Sequence, residues 1–577
     1  MNLRRPRSWG PWIRRCVQIA CLALFVFLFV NTRFREHTEP NTFTQIFFHI
    51  DPLILVATYL ATYAVPLAAL LALITLGVTL LFGRVFCGWV CPLGTINHFV
   101  GWLRNWVRGV TPSPARWSPW QRTKYYILIA LLVMAAFGVH WIGIFDPIAL
   151  LYRSMTAAVW PAFQYAVEDG STAIYQADPH VGPVHVTSVS EPVYEFFRDH
   201  IFLAPRQAFL GGGFILALFM AIVLLNLVRP RFWCRYICPL GALLGLFARR
   251  PLLLTLVRDD ENCTDCGRCT IGCQGLAAPG FGNQWMSSEC FACWNCVNKC
   301  NFRALRFKMQ PPFRKRSIAG LDLGRRATIG AAAGGFAGLF LFRLSPQAQA
   351  KAYNPDLIRP PGAREEHEFL QRCVQCGLCM KVCPTNALQP ATFEAGLEGV
   401  WTPMLVPKIG YCEYECNLCG QVCPTQAIKP LSLEEKKDVR IGLATIDTTR
   451  CIPYAYERNC IVCEEHCPVP GKAIYTVDKE ITTRSGEKIV VKQPHVDPNK
   501  CIGCGICEAK CPFADKAAIR VTSANESRHL DNQPILVGIG DLDNSAQQGY
   551  GDPAAEQSGG EGDSYGGSSD YSSPYGQ

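Results

Sequence analysis

Six short runs of four cysteines constrain this chain more than any other feature. Of its 30 cysteines, 24 lie in these runs, four form two matched pairs, and Cys16 and Cys21 stand apart. Disulfide frameworks are typical of small secreted domains, whereas tight Cys-x2-Cys-x2-Cys runs in a chain of 577 residues are typical of metal sites. The sequence therefore predicts a multi-domain protein with ferredoxin-like α+β domains that bind [4Fe–4S] clusters.

The first two runs have the spacing of bacterial ferredoxins. In that arrangement three cysteines of a run ligate one cluster, and the fourth cysteine ligates the cluster of the other run. Structural zinc is the alternative. The predicted ligands are Cys263, Cys266, Cys269 and Cys300 for one cluster, and Cys290, Cys293, Cys296 and Cys273 for the other.

Four further runs predict four more clusters, six in all. Two of them have regular spacing, while one opens with Cys-x3-Cys and one with Cys-x8-Cys, which we interpret as loop insertions. The sequence leaves open which run donates its fourth cysteine to which cluster. The predicted iron ligands are Cys373, Cys376, Cys379, Cys383, Cys412, Cys416, Cys419, Cys423, Cys451, Cys460, Cys463, Cys467, Cys501, Cys504, Cys507 and Cys511.

Residues 1–250 are predicted to form an α-helical membrane bundle with four spans. Charged residues make up only 18% of the chain, against about 25% in soluble proteins. A membrane helix needs about 20 apolar residues, and we interpret the first candidate as a span and not as a cleaved signal peptide, because further spans follow it. The candidates are residues 17–32, 65–82, 125–145 and 208–228.

The two parts of the chain differ in charge. Residues 1–350 carry 33 basic and 16 acidic side chains, whereas residues 351–577 carry 22 basic and 30 acidic ones. Cytoplasmic loops of membrane proteins are rich in Lys and Arg, so the basic stretches at 101–124 and after 228 predict cytoplasmic positions for them and for the first two clusters. We see no basic face interleaved with aromatic residues, and we expect no nucleic-acid partner.

The membrane part contains one motif twice. Each copy consists of an Asp-Pro pair, a span and a Cys-x3-Cys-Pro motif. Two such repeats would place both Asp-Pro pairs at the outer surface and both cysteine pairs at the inner one. The residues concerned are Asp51, Cys87 and Cys91 in the first copy, and Asp146, Cys234 and Cys238 in the second.

These six repeated residues are the candidate catalytic groups. For the cysteines three interpretations stay open: a redox-active dithiol, a four-thiolate metal site shared by the repeats, or a packing device. A disulfide is disfavoured in the reducing cytoplasm. For the aspartates, intramembrane ionisable groups indicate function and suggest a role in quinol chemistry, while an Asp before Pro is also typical of a helix N-cap.

Composition sets the remaining boundaries. Residues 251–310 hold the first two runs, and residues 351–530 hold the other four. Between them, 311–350 contains Arg325-Arg326, a weakly apolar segment at 327–344 and Ala348-Gln349-Ala350, a pattern typical of a twin-arginine export signal, here interpreted as an internal signal or anchor span. The tail, 531–577, is rich in Gly, Ser, Tyr and Asp and is predicted to be disordered.

The motifs together resemble a known family. Residues 1–310 resemble the NapH-type membrane ferredoxins, and residues 325–520 resemble their NapG-type partner, so that the chain looks like a fusion of the two. The resemblance implies a membrane quinol dehydrogenase of the cytoplasmic membrane. Such a protein takes electrons from the membrane quinol pool and passes them, through clusters in a periplasmic C-terminal domain, to a periplasmic acceptor such as a multihaem cytochrome or a reductase.

Two other functions stay open. The membrane half also resembles cytochrome-oxidase maturation proteins, which implies an assembly or metal-reduction factor for a respiratory metalloenzyme. Those proteins carry an immunoglobulin-like domain where this chain has four further cysteine runs, and this difference favours electron transfer. The third function is that of a structural scaffold, whose clusters would not turn over with quinol.

Replacing Arg325 and Arg326 by Lys is expected to strand the C-terminal domain inside the cell. Iron–sulfur domains fold in the cytoplasm, and a twin-arginine route exports folded domains, so the arginine pair is needed before residues beyond 351 can cross. The measurement is cleavage of these residues by protease added to spheroplasts. If the unmutated protein is never cleaved there, the export prediction is wrong.

Overall fold

The computed structural model describes residues 9–33, 42–107, 109, 117–181, 184–202, 206–281, 283–310, 318–343 and 354–529. All of them belong to one compact unit, Met1–Asn532. The predicted disordered tail and the Ala348-Gln349-Ala350 site lie outside the described residues.

The first part of the chain is helical. A π-helical turn at Met155–Val159 joins the ninth and tenth helices into one continuous element. The helices are α1 Gly10–Asn31, α2 Ile46–His49, α3 Pro52–Thr62, α4 Ala72–Phe82, α5 Val85–Trp89, α6 Pro92–Val107, α7 Thr123–Ala136, α8 Ile142–Phe145, α9 Pro147–Ser154, α10 Trp160–Ala177, α11 Thr187–His200, α12 Gly212–Val228, α13 Phe232–Tyr236 and α14 Pro239–Phe247.

The second part contains helices and four of the five two-stranded antiparallel sheets that the described residues form, β3–β4, β5–β6, β7–β10 and β8–β9, whereas β1–β2 lies between α10 and α11. Its helices are α15 Asn295–Lys299, α16 Arg325–Arg343, α17 Glu366–Arg372, α18 Leu378–Val382, α19 Leu418–Gln421, α20 Leu433–Asp438, α21 Ile452–Ala455, α22 Val462–Glu465 and α23 Ile506–Lys510. The strands are β1 His180–Val181, β2 Val184–His185, β3 Leu254–Arg258, β4 Leu305–Met309, β5 Leu388–Pro390, β6 Pro403–Leu405, β7 Leu443–Ile446, β8 Ile474–Thr482, β9 Lys488–Val496 and β10 Ile519–Thr522.

Three ferredoxin-like units are built in the same way. In each unit the chain segments before and after two cysteine runs pair with one another and close the unit. The pairing is β3 with β4 around the first two runs, an isolated bridge between Ala363 and Ile428 around the next two, and β7 with β10 around the last two. The described residues therefore form multiple ferredoxin-like domains, as the spacing of the runs predicts.

The helical part separates the first ferredoxin unit from the other two. At the start of α1, Gly10 lies against Trp294 of the first unit, and near its end Phe29 lies under the Lys381 ammonium at 4.9 Å. The helix has 22 residues, a length of about 33 Å. Along α7, Tyr125 at the start bonds to Glu289, and Gly138, just beyond the end, lies against Gln371. The first unit and the second thus contact opposite ends of the same two helices.

Helix length departs from the predicted spans. Among the described residues, Gly10–Asn31 is the one helix that is long and apolar enough to cross a membrane alone, and Phe43–His49 with Pro52–Thr62 meets the criteria only as a pair bent by 76°. Leu67–Phe82 and Gly212–Val228 are apolar but shorter. The predicted span at 125–145 ends as a helix at Ala136, because the chain turns at Gly138, whose φ is +86°.

Helix α16, which covers the predicted signal segment, lies against α7. Gly335 makes this approach possible, since an added Cβ would lie 2.6 Å from the carbonyl oxygen of Ala130. The contact continues with Phe336 against Phe137 at 5.5 Å and Phe342 against Trp141 at 4.2 Å. The segment is therefore a helix attached to the helical part.

Two neighbouring glycines of α16 test this contact. Gly335→Ala is expected to destabilise the protein by about 1–3 kcal/mol, because the methyl group meets backbone that cannot yield. Gly334→Ala is the matched control, since nothing lies within 4 Å of its added Cβ, and alanine favours a helix by up to about 1 kcal/mol. Thermal unfolding of the purified variants measures both effects, and equal melting temperatures would contradict the close approach.

Candidate functional site

The 24 cysteines of the runs come together in six groups of four, and each group takes its fourth member from another run. Four groups each line one cavity: group A (Cys263, Cys266, Cys269, Cys300), group C (Cys373, Cys376, Cys379, Cys423), group E (Cys451, Cys460, Cys463, Cys511) and group F (Cys467, Cys501, Cys504, Cys507). In the other two, the fourth cysteine interacts electrostatically with its partners: group B (Cys273, Cys290, Cys293, Cys296) and group D (Cys383, Cys412, Cys416, Cys419).

This exchange is the one that ferredoxin spacing predicts for the first two runs. For the four later runs it settles the geometry that the sequence left open: the first exchanges with the second, and the third with the fourth. The long Cys-x8-Cys gap keeps Cys451 in group E. The looser spacings are therefore insertions in loops that still bring the ligands together.

The groups fit a multi-iron cluster better than a single ion. The four cavities have similar volumes, about 310, 350, 360 and 380 Å³, which indicates one kind of occupant. Among the described residues, no three His, Cys, Asp or Glu side chains converge closely enough to hold a single metal ion. This spacing disfavours the zinc alternative, because zinc draws its four ligands around one atom.

The buried thiols of these groups hold their protons unless a metal binds. Burial, followed by the charges of Cys463, Cys460 and Cys511, raises the pKa of the Cys451 thiol to about 12. Burial and then Cys293 and Cys273 raise the pKa of Cys290 to about 12 in the same way. Thiolates this close repel one another, and metal binding, which requires the thiolate, releases the protons.

Short helices position the third cysteine of several runs. Helix α18 carries Cys379 and α23 carries Cys507, and each begins after a glycine with φ of +83°. At Gly505 an added Cβ would also lie 2.9 Å from Pro407. Glycine is needed there because a left-handed turn must reverse the chain between the second and third ligands.

The six groups form a linear series. Cys269 of group A interacts with Cys273 of group B, and Cys379 of group C with Cys419 of group D. The Cys412 amide of group D donates a 2.8 Å hydrogen bond to the Cys504 carbonyl oxygen of group F, and Cys507 of group F interacts with Cys463 of group E. The order is A–B and C–D–F–E, with the helical part between B and C.

The two Cys-x3-Cys-Pro motifs meet inside the helical part. All six pairs among Cys87, Cys91, Cys234 and Cys238 interact electrostatically, and each side chain is at most 8% exposed. We refer to these four cysteines as the central tetrad. The repeat noticed in the sequence therefore becomes one site made of two halves.

A buried ionic cluster joins the central tetrad to the first ferredoxin unit. Glu289, next to the group B ligand Cys290, accepts hydrogen bonds from Arg84 at 3.2 Å, from Lys124, and from the Tyr125 hydroxyl at 2.8 Å. All four side chains are at most 1% exposed. Sequence reasoning missed this cluster, because single charged residues in an apolar stretch give no sign of which partner they will meet.

Asp51 and Asp146 also meet, and their place corrects the expected topology. Each caps a helix, Asp51 accepting from the Leu53 amide at 2.8 Å and Asp146 from the Ala149 amide at 2.8 Å. Their carboxyl groups interact with each other and are fully buried. Asp146 interacts with Cys91. The repeat had suggested that the Asp-Pro and cysteine motifs lie at opposite surfaces. The structure instead brings them together inside the helical part.

Arg153 links this aspartate pair to group C. Its guanidinium interacts with Asp146, Cys376 and Cys373, and Nη1 donates to the Gln375 carbonyl oxygen at 3.0 Å. The side chain is fully buried. A lone arginine one helical turn into an apolar segment was the only signal in the sequence, and nothing there indicated its partner.

Family models match four stretches of the chain. The model described as a 4Fe-4S binding domain matches residues 64–111 and 212–257, that of a 4Fe-4S dicluster domain matches 372–428, and a second 4Fe-4S binding domain matches 493–519. The dicluster match covers the two runs that supply groups C and D. Together with the cysteine groups, these matches define an iron–sulfur electron-transfer protein of the ferredoxin type.

Similar proteins of known type define the class of ferredoxin protein more closely. NapG of Escherichia coli, a ferredoxin-type protein, is 37% identical over 174 residues, which is 30% of this chain and 73% of NapG. The methylamine utilization ferredoxin-type protein MauM of Paracoccus denitrificans is 36% identical over 197 residues, 34% of this chain and 82% of MauM. The chain belongs to this family of NapG- and MauM-type ferredoxin proteins.

A third relative extends over a longer part of the chain. YccM of Escherichia coli, whose name describes an electron transport protein, is 25% identical over 350 residues, 55% of this chain and 84% of YccM. No solved structure matches the chain.

Two reciprocal substitutions test the exchange of fourth cysteines. Cys423→Ala is expected to release about four iron atoms and to expose Cys373, Cys376 and Cys379 to alkylation, while the other cysteines of its own run stay protected. Cys383→Ala should do the reverse and expose Cys412, Cys416 and Cys419. Mass spectrometry of alkylated peptides identifies the exposed cysteines. Labelling confined to the mutated run would rule out the exchange.

Proposed function

We propose that this chain is a membrane-bound quinol dehydrogenase of the NapH–NapG kind, in which both halves are fused. Groups A to F would hold six [4Fe–4S] clusters, which exchange single electrons when bound. The observation that carries the proposal is the position of the helical part between group B and group C. Such an arrangement suits electron transfer between the two sides of a membrane.

Exposed apolar side chains support a membrane location for the helical part. Large hydrophobic residues point outward from several helices of the helical part, and contiguous apolar surface of this kind is not stable in water. Examples are Phe27 of α1, Trp106 of α6, Phe214 of α12 and Ile329 of α16, which are 63%, 71%, 66% and 69% exposed. Lipid tails would cover these faces. Exposed Trp102 and Trp106, stacked at 6.4 Å, suit the interface, where tryptophan concentrates.

A cavity between the helical part and the second ferredoxin unit suits a quinol. It measures about 410 Å³ and is lined by the end of α1, by Trp160 and Phe202, and by Lys381 to Pro384. Ligand sites combine apolar walls with a few polar groups, as this cavity does. Gln207 lines the cavity and donates to the carbonyl oxygen of Cys383, a group D ligand, at 3.2 Å. The cavity therefore lies beside one predicted cluster.

Oxidation of a quinol releases two electrons and two protons. The electrons would leave singly, because a bound [4Fe–4S] cluster accepts one at a time, and the protons would pass to water on the polar side of the cavity, where Gln164 and Gln207 lie. Asp51 and Asp146 do not line this cavity. Their role in quinol chemistry stays a prediction, and their capping of α3 and α9 is the contribution that the geometry explains.

The distribution of charged residues along the chain supports one direction of electron transfer, from the membrane to the periplasm. The acidic region after residue 350 would face the periplasm and the basic loops the cytoplasm, following the positive-inside rule. Group E ends the C–D–F–E series, and its Cys451 caps the start of α21, which exposed Tyr456 follows. We expect a periplasmic reductase or cytochrome to dock near this end of the series.

A filled cavity tests the quinol site. Val30→Phe is expected to lower the rate of cluster reduction by a menaquinol or ubiquinol analogue at least about tenfold, because a ring placed there excludes the headgroup. Reduction by dithionite should not change. Val26→Phe, one turn earlier on α1 and 39% exposed, is the matched control. If both variants are reduced by the quinol analogue at the same rate, the quinol does not bind in this cavity.

A second pair of variants tests the aspartates. Replacing Asp51 and Asp146 together by Asn keeps a good N-cap residue but removes both proton acceptors. A role in proton transfer predicts a quinol-linked rate lower by about 100-fold, at unchanged thermal stability. If the rate is unaffected, the pair is structural.

A further inference from the structure

The central tetrad has the composition of a cluster site divided between two repeats. The family model for a 4Fe-4S binding domain matches residues 64–111 and 212–257, and each stretch contains only two cysteines, one Cys-x3-Cys pair. An iron–sulfur cluster ligated by cysteine needs four thiolates. Neither repeat supplies four, but the fold brings the two halves together with every pair of thiols in electrostatic contact.

Each sulfur of the tetrad faces a hydrogen-bond donor. The Gly94 amide donates to Cys91 Sγ at 3.4 Å, and the Gly241 amide to Cys238 Sγ at 3.3 Å. Asn97 Nδ2 lies 3.7 Å from Cys234 Sγ, and the Arg84 guanidinium interacts with Cys87. Donors placed at sulfur stabilise a thiolate and tune the potential of a cluster.

The same amide-to-sulfur contact occurs at the fourth cysteines of three ferredoxin groups. There the amides of Ala277, Ala473 and Ala518 donate to Cys273, Cys467 and Cys511 at 3.3, 3.3 and 3.4 Å. The tetrad and the ferredoxin groups thus share both their ligand type and the local bonding of the ligand. They share as well the lack of a site for a single metal ion among the described residues.

Buried cations offset the charge that such a centre would bring. Arg84, Lys124 and Arg231 are at most 1% exposed, and Arg84 and Lys124 form ion pairs with Glu289. The guanidinium groups of Arg84 and Arg231 both lie over the Phe291 ring, at 4.8 and 5.0 Å from its centre. Nη2 of each of these two arginines finds no hydrogen-bond partner within the described part of the chain. An oxidised cluster with four thiolates carries about two negative charges, which these cations match.

The tetrad occupies the gap in the series of cysteine groups. Towards group B, Gly88 touches Phe291, and Arg235 interacts with both Cys234 and Cys273. Towards group C, Cys91 interacts with Asp146, which in turn interacts with the Arg153 that faces Cys376. The rate of electron transfer falls steeply with distance, so a centre in this place would divide the step between groups B and C into two shorter ones.

From the paired repeats, the donors at sulfur and the buried cations, we infer that Cys87, Cys91, Cys234 and Cys238 ligate a seventh iron–sulfur cluster. A redox-active dithiol would need an oxidant and does not explain four convergent thiols. A packing device does not explain three buried cations. The cluster itself is independent of the proposed quinol activity, and only its role as a step between groups B and C rests on that proposal.

Iron content of the full-length, anaerobically purified protein tests the inference. Replacing Cys87 and Cys234 together by Ala takes one ligand from each repeat, and it is expected to remove about four of about 28 iron atoms and as much sulfide. Cys16→Ala with Cys21→Ala is the matched control, since both cysteines lie on α1 outside every group, and it should lose none. Unchanged iron and sulfide in the first variant would overturn the seventh cluster.

A reductive titration of the unmodified protein tests the seventh cluster even if the cysteine variant does not fold. Reductive titration should take up about seven one-electron equivalents per chain, and a value of six would overturn the inference. Asn97→Leu should shift the potential of one centre without changing iron content, whereas a purely structural asparagine would shift none. If quinol reduces nothing while the titration gives seven, the proposed function fails and the seventh cluster stands.

Discussion

The exchange of a fourth cysteine between neighbouring runs determines most of the remaining architecture. Three ligands of each group come from one tight loop and are brought together by local turns alone. The fourth comes from a partner run, so that neither group is complete until both runs have folded against each other. The strand or bridge that closes each unit, such as β3 with β4, holds the two runs in this relation.

Buried charge then connects the first ferredoxin unit to the helical part. Removing one partner of a buried ion pair costs several kcal/mol, because the remaining charge stays desolvated. Glu289 has three partners from two segments, Arg84 and the start of α7. These contacts fix one orientation of the unit, since no other placement would satisfy all three. Arg153 and Gln375 make the corresponding contact at the opposite end.

Much of this could be predicted from sequence where the chemistry is local. Cysteine spacing predicted the ferredoxin-like units and the exchange in the first of them, and the Asp-Pro pairs were readable as helix caps. Contacts between distant segments were not readable. The meeting of Asp51 with Asp146, and of Arg153 with Cys376, depends on how broken helices pack, which hydropathy does not encode. Hydropathy also overestimated helix length at 125–145, because it does not register the turn at Gly138.

The exchanged ligands also impose an order on biosynthesis. Group A is completed by Cys300 and group C by Cys423, while groups E and F are completed by Cys511 and Cys507. A ribosome therefore releases complete sites in pairs, at three separate points of the chain. The first pair is finished before Arg325-Arg326 has been made. Iron can thus be inserted into the first unit while the rest of the protein is still being synthesised, and each later pair must wait for its own last cysteine.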